Sequence, residues 1–479
     1  MISCTLDEFL NIIEGYPDYE KKIIMKAYKM AEELHSGQFR QSGEPYIVHP
    51  LSVAYILAEM CADCDTVCAG LLHDTIEDTP LERETIVKEF NEDVAKLVDG
   101  VTKISNMEYY SKEELNLLNT RKIIKGINED VRIIIVKLAD RLHNLRTLSF
   151  KPKEKQKKTA METLEIFVPL AYYIGLYKIK NELEDLSLFY LDKDAYMQTE
   201  EKIALINAES NSCMSEMRNR IDEVLTHGGI KHDIEVRSKN TYGVYKYLQK
   251  GMPIYDIHDL LAFRVMTEYE YQCYLALGLI HKEYHPVNDR FRDHICNPKA
   301  NLYQSLHTTV FGPDNRLVQA RIRTYDMNMI ASYGLLAYWR QNNGYDTRKL
   351  MQQTFYDKFQ LAESLKELDS LFTEDSEFVS NVKRELFNKV LHVYLPDGNL
   401  IQLPVGSSVI DFAYKVYGAE ADKMIGALVN GKNKDVTTIL FDKDRISLML
   451  SDSSDGPFSE WLPFAYTTRA KSMILRKKS

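Results

Sequence analysis

Three stretches of this chain carry side chains able to hold a metal ion: His49-Pro50, LLHDTIEDT at 71–79 and VKLADRLHNLRTL at 136–148. On a helix, His73 and Glu77 would be four apart, Asp74 and Asp78 four apart, and Asp74 and Glu77 three apart, so the carboxylates crowd one region of surface. Like charges at such spacing repel unless a cation offsets them. In the later stretch Lys137, Asp140 and Asn144 share a helical face, beside the core positions Leu138, Leu142 and Leu145. Two imidazoles with two carboxylates make a mixed nitrogen and oxygen set that suits Mn²⁺, Zn²⁺ or Fe²⁺ better than Ca²⁺. The expected ligands are His49, His73, Asp74 and Asp140. Any one of these residues could be a cap or a solvated surface group. The adjacent His73-Asp74 pair, with a histidine upstream and an aspartate inside an apolar helix downstream, makes them a set.

The elements that must position them are helical. Segments such as YEKKIIMKAYKMAEELH and VAKLVDGVTKI repeat apolar residues every three or four positions, and residues 1–195 contain no hairpin signal, which predicts an all-α domain. A second unit, 196–340, begins with a long polar helix and continues with the strand-like runs IKHDIEVRSK, LLAFRVMT, TTVFGP and RLVQARIRT between helical stretches, an α/β pattern. Residues 341–387 read as a charged helical linker. In 388–450, LHVYLPDGNLIQLP predicts a hairpin through Pro396-Asp397-Gly398-Asn399, followed by a helix and a strand ending at Asn430-Gly431, as in a small β-grasp module. The basic end of 451–479, RAKSMILRKKS, reads as a mobile tail.

At 479 residues the chain is long enough for two or three cores. No apolar run approaches the roughly 18 residues of a membrane span. The acidic start MISCTLDEFLNIIEGYP lacks the basic region of a signal peptide, so a cytoplasmic protein without a membrane partner is expected. The net charge of −10 argues against nonspecific nucleic-acid binding but leaves room for a local phosphate site. Seven cysteines without an export signal argue for reduced thiols. Cys61, Cys64 and Cys68 are expected on one face of a single helix, VAYILAEMCADCDTVCAGLLHD, as core fillers and not as zinc ligands. Leu335, Leu336 and Trp339 likewise read as packing. In the second unit Arg237, Lys239, Lys246 and Lys299 lie near Tyr303, Gln304 and His307, cations and an aromatic ring of the kind that holds a purine nucleotide.

RQSGEPYIVHPLSVAYIL (40–57), LLHDTIEDT, VDGVTKI (98–104) and VKLADRLHNLRTL resemble the HD-type hydrolase domain of the RelA/SpoT homologues, the stringent-response enzymes. The likeness continues through RSKNTYGVYKYLQKG and NPKANLYQSLHTTVFGP of the nucleotidyltransferase-like synthetase domain to the β-grasp TGS domain. It implies hydrolysis of guanosine tetra- and pentaphosphate to GDP or GTP and pyrophosphate with Mn²⁺, a substrate that residue chemistry alone does not select. Glu77 and Asp78 would orient and deprotonate the attacking water, and Arg40, Lys137, Asn144 and Arg146 would line the nucleotide pocket.

The family's synthetase transfers pyrophosphate from ATP to GDP or GTP with Mg²⁺ held by acidic residues. Asp259 matches the first, and Arg237, Lys239, Lys246, Lys299, Tyr303, Gln304 and His307 match the nucleotide-binding positions. Where relatives read Glu-x-Gln-Ile-Arg-Thr, however, this chain has Gln319-Ala320-Arg321-Ile322-Arg323-Thr324, and Ser332 and Tyr338 depart nearby. A carboxamide is neither a base nor a good Mg²⁺ ligand. The implied enzyme is a hydrolase with a weak or silent synthetase, Mg²⁺ mattering only if that domain acts. The alternatives are a bifunctional synthetase/hydrolase and a nucleotide-sensing regulator with neither activity. In the TGS-like module Phe412-Ala413-Tyr414-Lys415 is followed by Val416-Tyr417 and not by the Ile-His of relatives that touch tRNA, and the chain ends without the family's later regulatory domains. This argues against ribosome or tRNA coupling and leaves a protein partner for that module.

Overall fold

The computed structural model describes residues 3–102, 118, 121, 122, 124–127, 129–299, 301–334, 336, 337, 369, 372, 374–386, 390–454 and 456–476. The chain divides into two compact units, Met1–Ser105 with Glu129–Gln360, and Asn106–Asn128 with Leu361–Ser479. Among the described residues no helix is long and apolar enough to cross a membrane.

The first unit opens with the expected all-helical part. Its centre is the helix Arg132–Arg146, buried along nearly its whole length, the polar Lys137, Asp140 and His143 included. The same burial encloses Arg132, 1% exposed, whose guanidinium meets Asp130 at 2.7 Å and Asp63 at 2.8 Å. The single helix expected over 53–74 is instead two, Val48–Glu59 and Cys64–Leu72. Cys61 turns the chain at φ 62°, and the Asp63 side chain caps the second helix by accepting from the Thr66 amide. The three cysteines therefore do not share one helix. Cys68 is buried in the core, whereas Cys61 sits in the turn. A second break follows at His73-Asp74, before the short turn of helix Thr75–Asp78.

The rest of the first unit is built on a five-stranded mixed sheet. Its strands are β1 (His232–Ser238), β2 (Leu261–Thr267), β3 (Arg292–Asp293), β4 (Leu306–Phe311) and β5 (Leu317–Thr324). They lie in the order β1-β2-β5-β4-β3, with β2 and β5 parallel and the other pairs antiparallel. The parallel pair is joined through the helix Glu270–Glu283, which packs Cys273, Ala276 and Ile280 into a core with Phe263, Val265, Val318 and Ile322. The 35-residue helix Lys193–His227 adds Met214, Met217, Ile221 and Leu225, spaced three and four apart. Because side chains alternate along a strand, β5 sends Val318, Ala320 and Ile322 to this core and Gln319, Arg321 and Arg323 to the other face.

In the second unit, β6 (Val390–Tyr394) and β7 (Leu400–Pro404) form the predicted hairpin, with Gly398 at φ 89° in the turn. After the helix Val409–Tyr417, β8 (Met424–Val429) turns through Asn430 and Gly431, at φ 52° and 78°, into β9 (Lys432–Lys434). With β10 (Ile446–Leu450) the sheet order is β10-β8-β9. The expected mobile tail is a helix, Thr468–Arg476, which packs Ala470 and Ile474 with Trp461, Ile410 and Tyr414. It is pinned by Asp411, whose Oδ1 accepts from the Tyr466 amide at 3.0 Å, the Thr467 amide at 2.7 Å and the Thr467 hydroxyl at 2.8 Å. A basic sequence concealed an amphipathic helix with a buried acceptor at its start. Of the expected linker, Asp375–Leu386 is helical, and most of the remainder lies outside the described residues, as do Leu335, Tyr338 and Trp339. Leu336 is fully buried, as a packing residue should be.

Candidate active site

The break after Leu72 brings His73 into the helical core and Asp74 to its edge, facing His49 on the helix Val48–Glu59 and Asp140 on the helix Arg132–Arg146. One ligand atom from each of His49, His73 and Asp140 lies within 4.8 Å of the others. The Nε2 of His49 is 3.3 Å from Asp140 and 3.5 Å from Asp74, and the Nε2 of His73 is 3.2 Å from Asp74 and 3.9 Å from Asp140. The four expected ligands therefore meet at one place. His73 Nδ1 donates to the Gly70 carbonyl at 2.9 Å, so in the neutral ring Nε2 carries the lone pair, on a buried atom 3.2 Å from Asp74. A buried lone pair facing two carboxylates, beside a second imidazole, fits a divalent cation.

The charges of the cluster depend on one another. Burial opposes charge on His73, but the carboxylates of Asp74 and Asp140 outweigh it and carry its pKa up to about 8. Burial holds His49 below its usual value. It also works against the ionised carboxylates, but His73 and His49 keep Asp74, and Lys137 keeps Asp140, below the usual range.

A cavity of about 300 Å³ opens beside the cluster, walled by Arg40, Tyr46, His49, Asp74, Glu77, Asp78, Asp140 and Asn144 among others. Glu77 and Asp78 thus line the same cavity as the expected ligands His49, Asp74 and Asp140. Arg40 reaches Asn144 Oδ1 and His143 Nδ1, each at 3.4 Å. Two expected pocket residues lie elsewhere. Lys137 is buried, pairs with Asp140 at 2.8 Å and is not among the residues that wall the cavity. Arg146 turns away to a two-pronged pair with Glu182 at 2.6 and 2.9 Å. Sequence reading missed Tyr46, whose hydroxyl donates toward Asp74 at 2.8 Å and lies 2.9 Å from Asp78. It also missed His143, 2.7 Å from His49. Tyr46 stands three residues before His49 and His143 three after Asp140, the only trace of either role in the sequence.

A second cavity, of about 660 Å³, lies against the polar face of β5. Arg237, Lys239, Asp259, Lys299, Tyr303, His307 and Gln319 line it as expected, together with the unanticipated Lys180, Arg264, Arg290, Arg292, Arg321 and Arg323. Lys246 does not; it pairs with Glu184 at 3.2 Å and covers the Tyr242 ring. Gln304 does not either, and reaches the Ile295 carbonyl instead. Burial and crowding among these cations push Lys180, Lys299, His307 and Arg323 below their usual pKa values and Arg264 to about 10. An anion placed among them would relieve both effects. The expected purine platform, Tyr303, is buried, carries Lys299 and Arg323 over its ring at 5.1 and 5.6 Å, and shares a 2.8 Å hydrogen bond with His307. Asp259 pairs with Lys239, and Gln319 accepts from Arg321 at 2.7 Å.

The first unit thus carries a His/Asp cluster in its all-α part and a cationic pocket on its mixed sheet. Residues 27–176 match the HD domain, residues 236–346 match the region found in RelA / SpoT proteins, and residues 391–450 match the TGS domain. A guanosine-3′,5′-bis(diphosphate) 3′-pyrophosphohydrolase of Borreliella burgdorferi is 36% identical, covering 95% of this chain and 68% of that one. One of Aquifex aeolicus is 38% identical, covering 98% and 66%. A GTP pyrophosphokinase of Myxococcus xanthus is 39% identical, covering 97% and 61%. The chain belongs to the RelA/SpoT family. It spans about 60% of the length of relatives such as the Myxococcus protein.

Proposed function

We propose that the chain is a metal-dependent 3′-pyrophosphohydrolase of guanosine tetra- and pentaphosphate, acting in the cytoplasm, whose synthetase-like domain binds nucleotide but transfers little or no pyrophosphate. The observation that carries the first part is the convergence of His49, His73, Asp74 and Asp140 beside a cavity that also holds Glu77 and Asp78. A divalent ion held by those four side chains, taken as Mn²⁺ from the family resemblance, would supply Lewis acidity and offset phosphate charge. Glu77, with Asp78, orients a water and takes its proton as the water oxygen bonds to the phosphorus on the 3′ oxygen. The bond from that phosphorus to the 3′ oxygen breaks, the oxygen gains a proton, and pyrophosphate leaves with GDP or GTP. Tyr46 holds Asp74 and Asp78 at a fixed separation, and Arg40 and Asn144 supply polar contacts in the cavity wall for the nucleotide.

The second part is supported by Gln319, whose neutral amide is already engaged by Arg321 where a base and Mg²⁺ ligand is needed. The pocket's cations remain, which suits polyphosphate binding without transfer. The competing bifunctional reading draws on relatives named as pyrophosphokinases. One preparation separates them: pyrophosphate release from guanosine tetraphosphate with Mn²⁺, against guanosine tetraphosphate formation from ATP and GDP with Mg²⁺. Release without formation supports the proposal, and formation at a rate comparable to release overturns its second part.

A further inference from the structure

His143 is fully buried on the helix Arg132–Arg146, one turn beyond Asp140, in the shell behind the metal cluster. Its Nδ1 lies 2.7 Å from Nδ1 of His49 and 3.4 Å from Nη1 of Arg40, and the His49 and His143 rings stack at 5.0 Å. Two ring nitrogens at hydrogen-bond distance need one proton between them, so one donates and the other accepts. Arg40 decides which. A guanidinium only donates, so its 3.4 Å approach to Nδ1 of His143 favours a lone pair on that nitrogen, with the proton on the buried, unpartnered Nε2. The proton therefore sits on Nδ1 of His49, and Nε2 of His49, the atom facing Asp74 and Asp140, is left with its lone pair. His73 reaches the same state by donating from Nδ1 to the Gly70 carbonyl.

We infer that His143 is a positioning residue of the metal centre: by accepting from Nδ1 of His49 it fixes the His49 tautomer and ring orientation that present Nε2 to the cation. The inference rests on the hydrolase reading proposed above. Without the acceptor, the His49 Nδ1–H would be buried without a partner, and the opposite tautomer, with a proton on Nε2 where the cation belongs, would compete. Partners of this kind are worth roughly 10- to 100-fold in metal affinity.

The test uses the full chain stripped of metal with chelator and titrated with Mn²⁺ alone, as wild type, His143→Leu and His143→Asn. Leucine fills the site without an acceptor, whereas the asparagine carbonyl oxygen falls near the position of Nδ1. His143→Leu should bind Mn²⁺ about 10- to 100-fold more weakly, and His143→Asn should stay within a few-fold of wild type. A purely structural role would instead lower the thermal stability of the metal-free protein without separating the two variants. Wild-type affinity in a folded His143→Leu, or equal loss in both variants, overturns the inference. If His143→Leu does not fold, ¹⁵N-imidazole spectra of the metal-free wild type, with His143→Asn for assignment, decide it: a proton on Nε2 of His49 overturns it, and a proton on Nδ1 supports it. Absence of Mn²⁺ binding by the wild type itself would instead remove the hydrolase reading on which it stands.

Discussion

Arg321 donates from Nε to the carboxamide oxygen of Gln319 at 2.7 Å, and the same guanidinium stands 3.8 Å from Asp259. The two residues are next-but-one on β5 and so point to the same face. Lys239 also contacts Asp259, so two cations pair with the single matched acidic side chain. A ribose hydroxyl is too weak an acid to attack unaided at neutral pH, and losing a general base costs about 10²- to 10⁴-fold. With the hydrolase silenced by Asp74→Ala, incubation with ATP, GDP and Mg²⁺ should yield guanosine tetraphosphate at a rate undetectable or far below wild-type hydrolysis. Robust accumulation would promote the bifunctional reading. Gln319→Glu is a poor rescue, because Arg321 would remain beside it.

Hydrolysis should depend entirely on the buried cluster. His73→Ala and Asp74→Ala should each abolish pyrophosphate release while circular dichroism shows a folded protein, and chelation should do the same reversibly. Full turnover by either variant, or by chelated enzyme, would remove the assignment of the centre.

Metal binding and proton handling should be separable, because Glu77 lines the cavity but is not among the four proposed ligands. Glu77→Gln should keep its Mn²⁺ content and lose at least about 10²-fold in kcat, the scale of a general base. A parallel fall in metal content would make Glu77 a ligand.

Arg40 and Arg146 both match the family's pocket, but the structure treats them differently. Arg40 lines the cavity, whereas Arg146 is engaged by Glu182 at a half-exposed site. Such partly solvated pairs contribute about 0–1 kcal/mol. Arg40→Ala should therefore raise KM for guanosine tetraphosphate markedly, and Arg146→Ala only slightly; steady-state kinetics on the two variants would reverse the assignment if the order were inverted.

The C-terminal helix hangs on one carboxylate. Asp411→Ala would leave the Tyr466 and Thr467 amides without their acceptor, a loss on the order of 1–3 kcal/mol for buried groups. Hydrogen exchange across Tyr466–Arg476 should quicken while β8 keeps its protection. Unchanged exchange there would mean that Ala470 and Ile474 alone hold the helix.

Local pattern alone identified a large part of this protein. Apolar spacing of three and four marked the helical domain, alternation marked β2 and β5, and Pro396-Asp397-Gly398-Asn399 marked a hairpin, because each depends on a pattern within a few residues. The four proposed metal ligands were legible for a similar reason: histidine beside aspartate is costly in an apolar helix unless something uses it. The three-dimensional fold decided what sequence distance hides. Lys137 and Arg146 look equivalent on paper, and only the packing of the helix Arg132–Arg146 puts one beneath Asp140 and the other against Glu182. Lys180 joins cations from β2 and β5 more than 80 residues away, and His143 meets His49 across 94 positions. Breaks at Cys61 and His73 overrode helical periodicity, since a capping aspartate and a change of chain direction gain more from tertiary burial than a continuous helix gains from propensity. Periodicity reports which side of an element is buried; which residues of other elements meet it there depends on long-range packing, and that information is distributed over the whole chain.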